Sequence, residues 1–322
     1  MKETNDNRPV PNRRPFLRTK WGRWLKVFIL LYCLIGIAVY YGQDYLLFHP
    51  QAVDRNVTYD FGRPYKEVNL PYDKETNLNI IEFQPTDHQD FRASGDWPKA
   101  ADTLAKGVVL YFHGNKRNIS WYAKYATDFT SKGYEVWMLD YPGFGKSTGT
   151  LSEQRLYDFA LQFYKLARSR WQPSQIILYG KSLGTGIAAQ LASVRDCRRL
   201  FLECPYFSME SVARHYFPVY PLGSMLHYHF PTNTRMGDIT APITIFHGSS
   251  DGLIPYSNAL RLKPLLKSGD EFITIEGGGH NDLHDYLTFR QALAARLSDT
   301  SGTTGASGTS GAIAPTRADS RP

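Results

Sequence analysis

The chain has 322 residues, of which 42% are hydrophobic and 21% charged, so it can build a sizeable core in one large or two small domains. Its net charge of +7 is concentrated near the N-terminus, because residues 1–26 contain eight basic and two acidic residues and the rest contains 29 basic and 28 acidic ones. A nearly neutral body offers no basic surface to phosphate backbones, which excludes a nucleic-acid partner.

An uncharged apolar run follows the basic N-terminus. As a helix, residues 24–41 would rise about 27 Å, close to the hydrocarbon thickness of a bilayer. A buried core helix is disfavoured because the run is apolar on every face. Bulky residues directly after Gly36 and Ala38 favour an uncleaved signal anchor over the alternative, a cleavable signal peptide.

The basic residues before this run predict the orientation of the anchor. Residues 1–23 are expected to stay in the cytoplasm and residues 24–42 to cross the membrane once. The body, residues 43–297, then lies on the non-cytoplasmic side. Residues 298–322 are of low complexity and are predicted to form a disordered tail.

The body is predicted to be one α/β domain that begins with a linker and an edge region over 43–105. Strands are predicted at 65–70, 78–83, 107–112, 134–139, 175–179, 200–203, 243–246 and 272–275. Helices are predicted at 119–132, 152–169 and 183–195. Strands alternating with helices indicate a mostly parallel sheet with helices on both faces. The alternation breaks at 205–240, an aromatic-rich segment that we predict to be a cap.

The motif GKSLG at 180–184 lies between a predicted strand and a predicted helix. A sharp strand-to-helix turn requires small residues around the serine and holds its hydroxyl at the end of the sheet. The string GKS also resembles the end of a phosphate-binding loop, but that motif needs a glycine where Gln175 stands. The second such string, at 145–147, has Asp140 at the corresponding position. We therefore predict Ser182 to be a nucleophile.

A serine hydroxyl is a weak nucleophile and needs a base, which an acid orients. After a nucleophile on such a turn, the acid and then the histidine follow in loops after later strands. Asp251 follows the strand at 243–246, and His280 follows the strand at 272–275 and three glycines. The predicted catalytic residues are therefore Ser182, Asp251 and His280.

Structural alternatives exist for two of these residues. Asp251 by itself fits a helix cap, and His280 fits a surface or capping histidine. Asp282 and Asp285 are rival acids, although they lie in the same loop as the histidine.

Two backbone N–H groups are predicted to form the oxyanion hole. One belongs to Leu183, the residue after the nucleophile, and the other to Asn115, in the loop after the strand at 107–112. The histidines of the cap match no metal-binding spacing, so we predict no metal and no cofactor.

The motifs together resemble the α/β-hydrolase superfamily. They are HGN at 113–115, DYPGFGKS at 140–147, GKSLG at 180–184, HGSSD at 247–251 and GH at 279–280. In detail the chain is similar to the membrane-anchored abhydrolase-domain group, which is related to serine aminopeptidases and prolyl oligopeptidases. The resemblance covers roughly residues 60–295. It implies an eight-stranded, mostly parallel sheet and hydrolysis of esters, thioesters or amides through an acyl-enzyme.

Three functions remain open at this point. A serine esterase or lipid acyl hydrolase fits the anchor and the apolar cap, whose aromatic residues either line an acyl pocket or cover the end of the sheet. A serine peptidase of the aminopeptidase or prolyl-oligopeptidase type is the alternative. A catalytically silent binding protein conflicts with an intact set of catalytic residues. The expected partners are a small-molecule or lipid ester and the membrane, and the sequence does not indicate an oligomeric state.

Overall fold

The computed structural model describes residues 20–85 and 105–298. Most of the predicted cytoplasmic segment, the polar loop after residue 85 and nearly all of the predicted tail lie outside the described residues. The strands in chain order are β1 (His49–Pro50), β2 (Lys66–Pro71), β3 (Asn77–Phe83), β4 (Gly107–Phe112), β5 (Lys116–Arg117), β6 (Tyr134–Leu139), β7 (Ile176–Lys181), β8 (Arg199–Glu203), β9 (Ile243–Gly248) and β10 (Glu271–Ile275).

The helices vary widely in length. In chain order they are α1 (Lys20–Tyr41), α2 (Gln43–Leu47), α3 (Ile119–Tyr122), α4 (Thr127–Thr130), α5 (Glu153–Arg168), α6 (Leu183–Val194), α7 (Met209–Tyr216), α8 (Leu222–Met225), α9 (Thr232–Arg235), α10 (Tyr256–Leu260) and α11 (Leu287–Ser298). The helix predicted over 119–132 is split, because a 3₁₀ turn at Ala123–Ala126 separates α3 from α4.

Eight strands form one sheet in the order β10-β9-β8-β7-β4-β6-β3-β2. Only β3 runs antiparallel to its neighbours, and every other pairing is parallel. All residues of β4, β6 and β7 are buried, as expected for apolar strands covered on both faces. The sheet thus has the predicted eight-stranded, mostly parallel architecture, and its carboxyl edge collects the loops that follow β4, β7, β9 and β10.

Two apolar layers cover the sheet. One layer packs α5 and α6 against one face, and the other packs α3, α4 and α11 against the opposite face. Helix α5 begins at an N-cap serine, Ser152, whose side chain accepts a hydrogen bond from the Arg155 N–H. Helix α6 consists mostly of small residues and is nearly all buried, so it lies close to β7, and Ser182 is its N-cap residue.

Helix α1 differs from the other long helices in its exposure. Most of its apolar side chains face outward, including Phe28 at 69% and Ile37 at 54% exposed. By length and composition it is the one helix among the described residues that can cross a membrane. Its C-terminal half packs against the protein, and Val39 is buried there.

The segment after α1 is hydrogen-bonded to loops at the carboxyl edge of the sheet. Strand β1 pairs in parallel with β5, where His49 is opposite Lys116. Further along, the Val53 N–H donates to the carbonyl of Gly145. The first residues of the region predicted as a linker and an edge region are therefore hydrogen-bonded to the body.

Candidate active site

The backbone turn at Ser182 requires glycine on both sides. Ser182 lies between β7 and α6 with φ 51° and ψ −118°, a strained conformation for a residue with a side chain. A Cβ added at Gly180 would lie 2.5 Å from the carbonyl oxygen of Gly184, and one added at Gly184 would lie 2.1 Å from that of Phe112. The two glycines of the motif are therefore required by close backbone packing.

The structure brings the three predicted side chains together. His280 Nε2 lies 2.9 Å from Ser182 Oγ, and His280 Nδ1 lies 2.7 Å from Asp251 Oδ2. With the proton on Nδ1, the ring donates to the carboxylate, and Nε2 is free to accept the serine proton. Ser182 and Asp251 are each 7% exposed, so little water competes for these bonds.

Asp251 is held as a charged acceptor. Its Oδ1 accepts hydrogen bonds from the N–H groups of Leu253 at 2.8 Å and Ile254 at 2.9 Å. Burial alone would raise the pKa of Asp251, but the hydrogen bond and charge of His280 and the two backbone donors lower it below its usual value. The carboxylate is thus ionised and fixed in the orientation that His280 requires.

The neighbouring acid and histidine have other roles. Asp282 Oδ1 accepts a hydrogen bond from the Gly279 N–H at 2.7 Å, which shapes the turn before His280. His247 Nε2 lies 3.7 Å from Asp251 Oδ2, beyond hydrogen-bond distance, and burial lowers the pKa of His247. His247 is therefore neutral and packs under the acid loop.

Lys181, beside the nucleophile, is buried in an ion pair. Its Nζ donates to Glu203, the last residue of β8, and to the backbone carbonyl of His280 at 3.3 Å. Burial would lower the pKa of Lys181, but the Glu203 carboxylate raises it above its usual value. The charged side chain thus connects the turn at Ser182 to the loop that carries His280.

Glu203 extends this ion pair into a wider network. Its Oε2 accepts from Tyr179 OH at 2.5 Å and from His284 Nε2 at 3.1 Å, and His284 Nδ1 lies 2.6 Å from Asp128 Oδ2. Burial would lower the pKa of His284, but the carboxylates of Glu203 and Asp128 raise it. Because both ring nitrogens face carboxylates, His284 fits its place as a doubly donating imidazolium.

This network was not predicted from the sequence, although two signals point to it. Lys181 is a charged residue inside an otherwise apolar strand end, and Glu203 ends the apolar strand LFLE. In the sheet the two residues are directly opposite each other on β7 and β8. Burying either charge without the other would be costly, so their pairing follows once the strand order is known.

Cys204 lies beside His280. Its Sγ is 3.6 Å from the carbonyl oxygen of His280. Among the described residues, Cys204, Asp251 and His280 are close enough to one another to suggest a metal site. Burial raises the pKa of the Cys204 thiol well above its usual value, which disfavours the thiolate that a metal needs. Asp251 and His280 are moreover already bonded to each other.

The residues of the two predicted oxyanion donors, Leu183 and Asn115, line the same pocket as Ser182. Leu183 is the first residue of α6, and the N–H groups of a first helical turn have no partner within the helix. Asn115 lines the same pocket as Ser182 and Leu183. Its side chain donates to the carbonyl of Leu47 at 2.5 Å, and its own carbonyl accepts from the His49 N–H at 2.8 Å. The segment after α1 therefore holds this loop in place.

An apolar pocket lies beside Ser182. Its volume is about 200 Å³. Ser182, Leu183 and Asn115 line it together with residues of α7, α8 and the rest of the cap. Val39 and Gln43, from the end of α1 and the start of α2, line it as well, as do Leu253 and Ile254 from the loop after β9. A pocket with mostly apolar walls beside a hydroxyl group suits an aliphatic chain attached to a reactive carbonyl.

Comparison with known proteins identifies the superfamily. The sequence profile of a family described as serine aminopeptidase S33 matches residues 103–232, which include Ser182. An uncharacterized protein of Mycobacterium tuberculosis is 30% identical over 218 residues, covering 66% of this chain and 78% of that protein. The human alpha/beta hydrolase domain-containing protein 17C is 29% identical over 198 residues, covering 59% of this chain and 58% of the relative.

Solved structures share the fold. An esterase of Pyrococcus furiosus aligns with a TM-score of 0.56 at 16% identity, covering 78% of this chain and 97% of that one. An alpha-beta hydrolase of Vibrio vulnificus aligns with a TM-score of 0.56 at 19% identity, covering 72% and 81%. The chain belongs to the α/β-hydrolase superfamily and is a hydrolase.

Proposed function

We propose that this chain is a serine hydrolase that cleaves carboxylic esters through an acyl-enzyme on Ser182. The observation that carries the proposal is the continuous hydrogen-bonded row from Ser182 through His280 to Asp251, at 2.9 and 2.7 Å. The row lies at the carboxyl edge of the sheet beside an apolar pocket.

The first half of the reaction acylates the serine. Ser182 Oγ attacks the ester carbonyl carbon while its proton passes to His280 Nε2. The N–H groups of Leu183 and Asn115 stabilise the negative charge on the carbonyl oxygen. The carbon–oxygen bond to the alcohol then breaks, and His280 returns the proton to the departing oxygen.

The second half releases the acid. Water attacks the acyl carbon and gives its proton to His280, and the bond to Ser182 Oγ breaks as that oxygen is protonated again. Asp251 stays ionised throughout and stabilises the imidazolium that forms twice in the cycle. No redox step or cofactor is needed.

Covalent labelling tests this proposal. A fluorophosphonate probe should label the wild type and leave Ser182→Ala unlabelled. Ser193→Ala, the same change near the other end of α6, is the matched control, since the Ser193 hydroxyl donates to the carbonyl of Gln190. Labelling of Ser182→Ala at the wild-type rate, or a folded wild type that neither reacts nor hydrolyses p-nitrophenyl acetate, would overturn the proposal.

A serine peptidase is the second candidate, favoured by the description of the matching family as serine aminopeptidase. The apolar pocket favours an acyl chain over the charged N-terminus of a peptide, because no acidic side chain lines the pocket within the described residues. Parallel assays with p-nitrophenyl esters and aminoacyl p-nitroanilides decide between the two. A higher kcat/KM on the anilides would make the chain a peptidase.

We also propose a single-pass membrane protein whose N-terminus is cytoplasmic. Residues 24–42 would be the anchor, and residues 43–297 the hydrolase domain with its cap at 205–240. The exposed apolar surface of α1 and the basic residues that precede it support this arrangement. A reporter fused after residue 322 should be active only outside the cytoplasm, and a cytoplasmic reporter would reject the orientation.

A further inference from the structure

The cap contacts the middle of the apolar helix α1. The rings of Tyr32 and Tyr220 stack with centroids 4.7 Å apart and planes 6° apart. Tyr32 OH donates to the carbonyl of Val219 at 3.2 Å, and Tyr220 OH donates to the carbonyl of Tyr32 at 2.9 Å. Gly36 gives the Tyr220 ring room, because a Cβ there would lie 3.0 Å from it. The contact is specific in both packing and hydrogen bonding.

This contact determines how deep the cap lies if α1 spans a bilayer. Tyr40 and Tyr41 end the helix and suit the membrane–water interface. Tyr32 precedes Tyr41 by nine residues, which is about 14 Å along a helix, or roughly half of the hydrocarbon thickness. A cap loop that touches Tyr32 would therefore lie within the bilayer and reach towards its middle.

The loop that makes the contact has the composition for such a position. The cap tip, residues 216–226 (YFPVYPLGSML), contains no charged residue. Val219 is 69% exposed and Tyr216 is 48% exposed. Leu253, whose carbonyl accepts a hydrogen bond from Tyr216 OH at 2.8 Å, is 40% exposed beside it. An apolar surface continuous with a membrane helix is best covered by lipid chains.

The pocket connects this surface to the nucleophile. Tyr216, Leu253 and Leu46, all exposed, line the same pocket as Ser182. Leu46 belongs to the juxtamembrane elbow, residues 39–47, which joins α1 to the body. An apolar path thus leads from the lipid-facing surface to the reactive hydroxyl.

Gln43 connects the juxtamembrane elbow to the cap. It is only 6% exposed. Its Nε2 donates to the carbonyls of Tyr40 at 2.9 Å and Met225 at 2.8 Å, and its Oε1 accepts from the His227 N–H at 2.7 Å. One amide side chain therefore satisfies backbone groups of both the anchor and the cap, and keeps the elbow against the cap tip.

We propose that the cap tip is embedded in the bilayer and that a single acyl chain of a membrane-resident ester passes from the lipid, between the cap tip and the juxtamembrane elbow, to Ser182. The proposal rests on the esterase function proposed above and specifies its substrate class. The anchor is then part of the substrate site, and the enzyme acts on amphiphiles in its own membrane in preference to dissolved esters.

Placing a charge at the cap tip tests the catalytic part of this proposal. Val219→Asp alters an exposed residue outside the pocket, so it should not affect folding. In the full chain in phosphatidylcholine vesicles, we expect the ratio of kcat/KM on vesicle-borne p-nitrophenyl palmitate to kcat/KM on dissolved p-nitrophenyl acetate to fall at least tenfold, the equivalent of about 1.4 kcal/mol. Val194→Asp, the same change at a residue 45% exposed at the far end of α6, should leave the ratio unchanged.

Chemical accessibility tests the position of the loop independently. In the same vesicles, a water-soluble maleimide should react with Val194→Cys and not with Val219→Cys, measured as the increase over the wild type with its three native cysteines. Detergent-denatured samples should react equally at both positions. Opposite membrane orientations cannot explain a difference, because reagent added on both sides reaches every aqueous position.

The outcomes separate the two proposals. If Val219→Asp keeps the wild-type ratio, or Val219→Cys reacts as fast as Val194→Cys, the embedded entrance is wrong although the esterase function stands. If the wild type hydrolyses neither ester and takes no fluorophosphonate label, the esterase function is wrong. Protection of Val219→Cys would then still support the embedded loop, and its free reaction would reject that as well.

Discussion

Replacing Lys181 by methionine should destabilise the protein strongly, because it removes one partner of a buried ion pair. Lys181 is 1% exposed and Glu203 is fully buried. Breaking such a pair on one side typically costs about 3–5 kcal/mol of unfolding free energy. Glu203 keeps its bonds to Tyr179 and His284, so we expect the lower end, about 3 kcal/mol.

This loss of unfolding free energy can be measured as a fall in melting temperature. For a domain of this size, 1 kcal/mol corresponds to about 2–4 °C, so Lys181→Met should melt about 6–12 °C below the wild type. The assay is thermal unfolding of the full chain in detergent, followed by far-UV circular dichroism. Lys132→Met, the same change at an exposed residue, should stay within about 1–2 °C.

A double variant separates the charge from the lost packing. Adding Glu203→Gln to Lys181→Met removes the unpaired carboxylate and retains an acceptor for Tyr179, so at least half of the lost stability should return. The reasoning is refuted if Lys181→Met melts within 2 °C of the wild type. It is also refuted if the double variant is less stable than Lys181→Met, since the penalty would then not come from an uncompensated charge.

Three further predictions concern the same edge of the sheet. The pKa of His284 is raised, so its contribution to stability is complete below about pH 6.5 and is lost as the pH rises through the folded-state pKa. The melting temperature should therefore fall over that pH range, and this fall should be smaller in His284→Gln. Gly184→Ala should abolish fluorophosphonate labelling, because its Cβ would lie 2.1 Å from the carbonyl oxygen of Phe112. Asp251→Asn should lower kcat on p-nitrophenyl acetate by about 10³–10⁴-fold, because the amide stabilises the wrong tautomer of His280.

Each of these predictions has a control or a contradicting result. A melting temperature with the same pH dependence in wild type and His284→Gln would show that His284 is not the titrating group. Gly237→Ala should be tolerated, since a Cβ there meets nothing within 4 Å, and normal labelling of Gly184→Ala would contradict the tight contact. Asp282→Asn retains an oxygen acceptor for the Gly279 N–H and should lose less than tenfold in kcat. Equal losses in the two Asp→Asn variants would reject the assigned acid.

The buried strands were predictable because their environment is uniform. Strands β4 and β6 occupy the predicted ranges. A continuous apolar run is typical of a parallel strand that helices cover on both faces. The single helix predicted at 119–132 is interrupted in its middle, although no glycine or proline lies between 119 and 130. A 3₁₀ turn places Tyr122 and Tyr125, three residues apart, on one inward face, and this tertiary demand outweighs local helix propensity.

Pairings between neighbouring strands were beyond what the sequence could predict. Ser182, Asp251 and His280 could be expected to lie at one edge of the sheet, because each follows a predicted strand. The pairing of Lys181 with Glu203 depends on β7 and β8 being neighbours in register, which no local pattern encodes. The same holds for β1, a two-residue strand that ends in proline and is recognisable only once β5 lies beside it.

The contacts of Leu47 and His49 with Asn115 limit where the chain can be cut without loss of the proposed activity. A cut between α1 and Leu47 leaves both contacts on the C-terminal fragment, whereas a cut after His49 removes both from Asn115, the loop residue proposed to stabilise the oxyanion. A fragment that begins after His49 would keep the proposed catalytic side chains and lose the hydrogen bonds that hold one of the two proposed oxyanion donors. A soluble fragment prepared for crystallisation should therefore begin upstream of Leu47.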